Sequence, residues 1–159
     1  MINFNLTGAF NMIRAIFPLM VQRGFGRIVN ITSINGMRGK FGQANYAAAK
    51  ASLIGLTKTA TLEFGKKGIT VHAVAPGMVM TNMTRTLPDE ILARAAGEAV
   101  LVELANQQDA SNAVQCLLSD AACAITRVCC RSMRDNISEY LSARPRQSVR
   151  IACPAASAE

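Results

Sequence analysis

The 159 residues contain no tryptophan, two tyrosines and a single histidine, His72. With one histidine, and no serine, cysteine or acid at a telling spacing from it, a Ser-His-Asp arrangement has no support. His72 is expected to be a structural residue. Five cysteines are present, but Cys129 and Cys130 are adjacent and no paired C-x-x-C occurs. That pattern gives neither a disulfide framework nor a zinc site, so no metal is expected. No apolar run reaches the roughly 20 residues of a membrane span. The longest candidate, 9–21, is interrupted by Asn11, Arg14 and Pro18. No charged, apolar and small-residue secretory pattern is visible, so a cytoplasmic protein without a membrane partner is the expectation. Acids are scarce, 10 against 17 lysines and arginines, for a net charge of +7. Six arginines, no lysine and three acids lie from Arg127 onward, so much of the excess belongs to the tail. That tail has little aromatic interleaving and no recognition motif, and no nucleic-acid partner is expected.

What is present has the size of one domain and the periodicities of an α/β protein. From Asn5, the residues Leu6, Phe10, Ile13, Phe17 and Met20 recur at three or four positions and form one apolar stripe, with Pro18 inside it and Gly24-Phe25-Gly26 after it. Residues 27–32 read as a strand buried on both faces, and 69–75 as a second. Between them lie Ser33, the glycines Gly36, Gly39 and Gly42, and a helix over 43–64. The glycines fit neither the dinucleotide nor the Walker spacing, so they are expected to let the backbone pass a substrate. They would also bring Gln43 and Asn45 to a pocket rim. Strand, helix, strand in that order is a βαβ unit. Further helices are expected over 88–99, with Pro88, Asp89 and Glu90 in its first turn, and over 109–119.

Within the 43–64 helix, Tyr46 and Lys50 stand one turn apart on one face. A phenol titrates near ~10 in water and needs a nearby cation to exchange protons at neutral pH. At about 4 Å and an effective dielectric of about 20, a lysine supplies roughly 4 kcal/mol at most. Tyr46 and Lys50 together are therefore candidates for general acid chemistry.

Ser33 precedes Tyr46 by thirteen positions, and Pro76-Gly77 follows it by thirty. With these motifs in order, the chain resembles the short-chain dehydrogenase/reductase family. The family pattern is a serine after a strand, Tyr-x-x-x-Lys in the next helix, and Pro-Gly after the next strand. The resemblance implies the C-terminal part of a Rossmann-like, doubly wound parallel sheet with flanking helices. It implies NADP- or NAD-dependent reduction of a carbonyl. Ser33, Tyr46, Lys50 and Asn5 would be catalytic, Asn5 sitting in a helix kink and keeping a relay water. Tyr46, Lys50, Pro76, Gly77, Val79 and Thr81 would meet the nicotinamide end of the cofactor. Gln43, Asn45 and Met78 would face the substrate. The run from Phe41 to Tyr46 resembles the reductases of 3-oxoacyl-acyl-carrier-protein and acetoacetyl-CoA in fatty-acid and polyester synthesis. Helices 5–23 and 43–64 would pair with their copies in a homo-oligomer, and residues 88–99 would lie in a substrate lid.

The resemblance covers residues 1–126. Before it the family has a strand and a glycine-rich turn for the dinucleotide, which this sequence lacks. After it, residues 127–159 are expected to be an aberrant, disordered or frameshifted tail, in which Arg127 takes a position that is glycine in the family. With permitted codons, Cys129 to Tyr140 can be written so that a shifted frame reads Val-Leu-Gln-Val-Asp-Ala-Gly-Gln-Tyr-Leu-Gly-Val, which resembles the family's ending. That hypothesis fails if resequencing the gene finds codons incompatible with the shifted frame. The rival reading is an inactive fragment of the family that acts through subunit association.

Overall fold

A computed structural model describes residues 1–99 and 104–131. Their order is a π-helical turn (Asn3–Thr7), α1 (Gly8–Arg23), β1 (Gly26–Ile31), α2 (Asn35–Arg38), α3 (Ala44–Phe64), β2 (Ile69–Ala75), β3 (Val79–Met80), α4 (Asp89–Gly97), β4 (Ala105–Asn106), α5 (Gln107–Leu118) and β5 (Cys129–Arg131). Three parallel strands form one sheet in the order β1-β2-β5. A second, two-stranded parallel sheet joins β3 to β4.

Local chemistry sets the ends of these elements. α1 stops at Gly24, whose left-handed backbone (φ 63°) lets its N–H reach back to the carbonyls of Met20 and Val21. Gly68, at φ 76°, passes so close to the Gly24 carbonyl that a Cβ there would collide with it. These two turns therefore lock the entry of β1 to the entry of β2. α5 begins two residues earlier than the sequence suggests, because Asn106 and Asp109 form a reciprocal capping box. The Asn106 side chain accepts from the Asp109 N–H at 2.9 Å, and the Asp109 carboxylate accepts from the Asn106 N–H at 2.8 Å.

β2 is buried at all seven positions, as expected of a central parallel strand. β1 is not. Its burial alternates, and Ile31 is 47% exposed, because one of its faces is less fully covered; among the described residues only β2 stands beside it. Ile28, Ile69 and Val71 point to one face, where Ile13 of α1 and Ala60 and Phe64 of α3 close the core. Phe17 stacks on Phe64 at 3.9 Å between ring centroids. α5 packs against β1 and β2 and covers the other face, that of Thr70 and His72. The expected stripe on the first helix is only partly core: Ile13, Phe17 and Met20 turn inward, whereas Phe10 is exposed. The continuous helical segment Asn3–Arg23 is, by length and composition, apolar enough to cross a membrane, longer than the interrupted run in the sequence suggested. Mostly buried core helices pass the same test, but only 6% of this segment is buried; Ile13 and Phe17 turn one side of it to the core.

The third strand starts inside the stretch expected to be aberrant. Cys129–Arg131 pairs in parallel with Ala73–Ala75, and Arg127 leads into it at φ 62°, the one positive φ outside glycine among the described residues. A left-handed backbone costs an L-residue roughly 1–2 kcal/mol. Arg127→Gly is therefore expected to raise unfolding free energy by about 1 kcal/mol, read by urea denaturation; an unchanged or lower midpoint would contradict it. Residues 132–159, the rest of the expected tail, lie outside the described residues.

Candidate active site

Ser33, Lys50 and Pro76 are tied to the carboxyl ends of β1 and β2, where open parallel sheets expose their loops. Ser33 leaves β1 one residue after Thr32, whose N–H and hydroxyl both bond the Val74 carbonyl, at 2.7 and 3.1 Å. The serine is thereby held to the end of β2. Its Oγ is buried and accepts from the Asn35 N–H at 3.2 Å. Asn35 in turn donates through Nδ2 to Gln43 Oε1 at 3.0 Å.

The glycine-rich segment is not the open loop expected from sequence. Gly36 lies inside α2, a single helical turn seated on α3; a Cβ on it would come within 2.7 Å of the Lys50 carbonyl carbon and 2.8 Å of the Ala51 nitrogen. Only glycine permits that approach. Gly39 and Gly42 carry the positive φ values, 74° and 75°, that turn the chain from α2 into α3. Gly36→Ala should destabilise by about 1–3 kcal/mol and push Ser33 away from the Lys50 turn. Gly55→Ala, in the same α3 but with open space around its Cβ, should instead stabilise by up to about 1 kcal/mol. Equal effects in a paired thermal-melt measurement would refute this placement.

α3 is fixed to the sheet by buried hydroxyls. Asn30 donates to Thr57 Oγ1 at 2.9 Å, and Thr61 Oγ1 donates to the Val71 carbonyl at 3.1 Å. This anchoring sets where Tyr46 and Lys50 emerge from the N-terminal half of the helix. The Lys50 ammonium donates to the Ile31 carbonyl at 2.9 Å and lies 5.8 Å from the centroid of the Tyr46 ring. It sits over the aromatic face and does not hydrogen-bond the phenol oxygen, as the spacing had suggested it would approach. Burial lowers the Lys50 pKa from its ordinary value. Asn45 turns its Oδ1 back to the Tyr46 N–H at 2.7 Å.

Asn5 is neither a helix cap nor a simple first-turn residue. It lies in the π-helical turn that packs against α3, a local widening often met at functional sites. Its Nδ2 donates to the Met1 carbonyl at 3.1 Å. After β2, Pro76 accepts from the Ile34 N–H at 3.0 Å, tying the two loops together. Val79 and Met80 are then held by parallel pairing with Ala105 and Asn106. Thr84 is a residue that sequence reasoning missed. Its hydroxyl donates to the Val79 carbonyl at 2.9 Å and receives the Thr81 N–H at 2.7 Å, so it shapes the whole Val79–Thr81 turn. The only signal for it was a Thr-x-x-Thr spacing, which marks many ordinary turns. Arg38 and Glu98, 3.0 Å apart, link α2 to the C-terminal end of α4.

Residues 1–129 match the family model described as enoyl-(acyl carrier protein) reductase. The chain belongs to the short-chain dehydrogenase/reductase family. Within it, the chain is 46% identical over 126 residues to the acetoacetyl-CoA reductase of Rhizobium meliloti, covering 79% of this chain and 52% of that protein. It is 45% identical over 125 residues to a 3-oxoacyl-acyl-carrier-protein reductase of Staphylococcus epidermidis, covering 79% and 51%. A crystal structure of the corresponding reductase from Brucella melitensis superposes with a TM-score of 0.77 at 33% identity, covering 80% of this chain and 48% of that one. This short-chain dehydrogenase/reductase thus stands near the 3-oxoacyl and acetoacetyl reductases, with a Rossmann-type α/β fold. It spans about half the length of the curated relatives it matches.

Proposed function

We propose that this chain carries the proton-transfer half of an NADP-dependent reductase of 3-oxoacyl thioesters, on an acyl carrier protein or coenzyme A, in the cytoplasm. What supports the reading is that Lys50 bonds the Ile31 carbonyl two residues before Ser33 and that the Ile34 N–H bonds the Pro76 carbonyl, so the Ser33 loop meets both the Tyr46–Lys50 turn and the start of the Pro76–Thr81 stretch. The Lys50 ammonium, the Thr81 hydroxyl and the backbone of Pro76, Gly77 and Val79 form a donor and acceptor set suited to a nicotinamide ribose and carboxamide. When bound, the reduced nicotinamide supplies the hydride that reaches the carbonyl carbon. The chain's own residues manage the proton and the oxygen. Ser33 donates a hydrogen bond to the developing alkoxide, and Tyr46 passes its phenolic proton to that oxygen, completing the alcohol. Lys50 holds positive charge beside the tyrosine ring, and Asn5 retains the water that returns a proton. Gln43, Asn45 and Met78 line the acyl side.

The second reading is association through Asn5–Arg23 and the 43–64 helix, and it is supported by apolar side chains that neither helix buries: Phe10, Met12 and Leu19 on α1, and Leu62 on α3. Surface of this kind favours a homo-oligomer. Both readings meet one experiment. The full chain, at a mass fixed by light scattering, is titrated with NADPH and NADH and assayed for acetoacetyl-CoA-dependent NADPH oxidation. It is then assayed again with the separately expressed first half of a 3-oxoacyl reductase. Turnover in either arm supports the reductase, and dimers or larger species support association. No nucleotide binding and no turnover in both arms would sink the first reading, and a monomer at all concentrations the second.

A further inference from the structure

On the face of the sheet covered by α5, three polar side chains each carry a buried nitrogen or oxygen without a hydrogen-bond partner among the described residues. His72 is completely buried, and neither ring nitrogen has a hydrogen-bond partner among the described residues. Thr70, two residues earlier on the same face, is buried with its hydroxyl equally unmatched, and Arg27, opposite Thr70 in the β1–β2 register, has an orphaned Nε. Unmatched buried groups of this kind cost free energy even when neutral, and far more when charged. The arginine cannot become neutral; the imidazole can.

We propose that His72, Arg27 and Thr70 form an acid-sensitive latch beneath α5: with a neutral imidazole α5 stays seated on the sheet, and protonation of His72 beside Arg27 releases it. The surroundings offer a second positive charge no relief. On β1 the charged side chain is Arg27 itself. On the segment after α5, Asp120 stands 3.7 Å from Arg27, but its side chain is 94% exposed and its pull is screened by water. On α5 the ionisable groups are Asp109, engaged in the capping box, and Cys116. Cys123 and Arg127 are exposed, and β5 brings Cys129 and Cys130, whose thiols are no counter-ions at acid pH. The consequence reaches the candidate site through the chain. α5 begins at β4, and β4 is what pairs with Val79 and Met80. Releasing α5 therefore frees the Val79–Thr81 turn.

The direction of the titration agrees with this geometry. Burial first, and the nearby Arg27 second, lower the His72 pKa; the Ile125 backbone opposes them without reaching hydrogen-bonding geometry. A folded pKa below the unfolded value means that the unfolded or opened state binds the extra proton. The latch is thus fully closed above the ordinary histidine value of about 6.5 and weakens as pH falls through it.

His72 is the only histidine, so its ring resonances can be followed by proton NMR in the unmodified chain without ambiguity. The ring is expected to remain neutral through the ordinary range. Amide protection in α5 and at Val79 and Met80 should fall by up to about tenfold between pH 7.5 and 5.5, while α3 holds. His72→Asn, which cannot take a proton, should abolish that fall. A ring that titrates at or above the ordinary value would overturn the latch whether or not the variant folds. So would an equal loss of protection in α3 and α5, or an unchanged pH profile in the variant.

Discussion

Tyr46→Phe is expected to cut carbonyl reduction by about 100- to 10,000-fold while leaving the fold close to unchanged. The estimate follows from the contribution of a positioned general acid, which amounts to roughly 3–5 kcal/mol of barrier. Structure gives the reason for the clean separation. The aromatic ring keeps its place over Lys50, and the hydroxyl contributes no hydrogen bond to the fold among the described residues. Loss should fall on kcat, because the proton is needed at the oxygen only as the alkoxide develops. Steady-state rates with acetoacetyl-CoA, in whichever arm of the assay turns over, provide the check. A variant within threefold or so of the parent would remove Tyr46 from the chemistry and leave the reductase reading without its acid.

Phe64→Ala is the structural counterpart, expected to cost about 3–5 kcal/mol and to lower the melting temperature by roughly 10 °C. Phe64 ends α3, is buried, and stacks on Phe17 between α1 and the sheet. Its removal opens a void bounded by Ile13, Ile28, Ile69 and Val71. Because those side chains come from one helix and two strands, no single element can move in to fill it. A loss below about 1 kcal/mol in chemical denaturation would mean that this core is not the one that holds α1 and α3 to the sheet.

The elements with long, strong patterns were legible from sequence. The 43–64 helix is found as α3 within one residue, the strand 69–75 is β2, and the parallel βαβ connection follows from their order. Other features carry no period. β3 and β4 are two residues each, too short for alternation, and α2 is one turn stabilised by its contact with α3. The reading of residues 27–32 as doubly buried went wrong because an apolar run cannot reveal how fully each face is covered: Arg27, Val29 and Ile31 lie on the less covered one. In the site, residue identity and chain order marked Ser33, Tyr46 and Lys50. The Lys50 bond to the Ile31 carbonyl and the role of Thr84 depend on how loops meet, which no local spacing encodes.

The edge position of β1 leaves a signature in the backbone itself. Thr32 N–H bonds Val74, and Ala73 N–H bonds Val128 on the other side of β2, so alternate residues of each strand face opposite neighbours. Along β1 this turns the peptide groups of Ile28 and Asn30 toward β2 and those of Arg27, Val29 and Ile31 outward. Of the outward carbonyls, that of Ile31 is taken by the Lys50 ammonium. Among the described residues, the Lys50 ammonium thus also sits on the outward edge of β1, placing a charge against one of its outward-facing backbone groups.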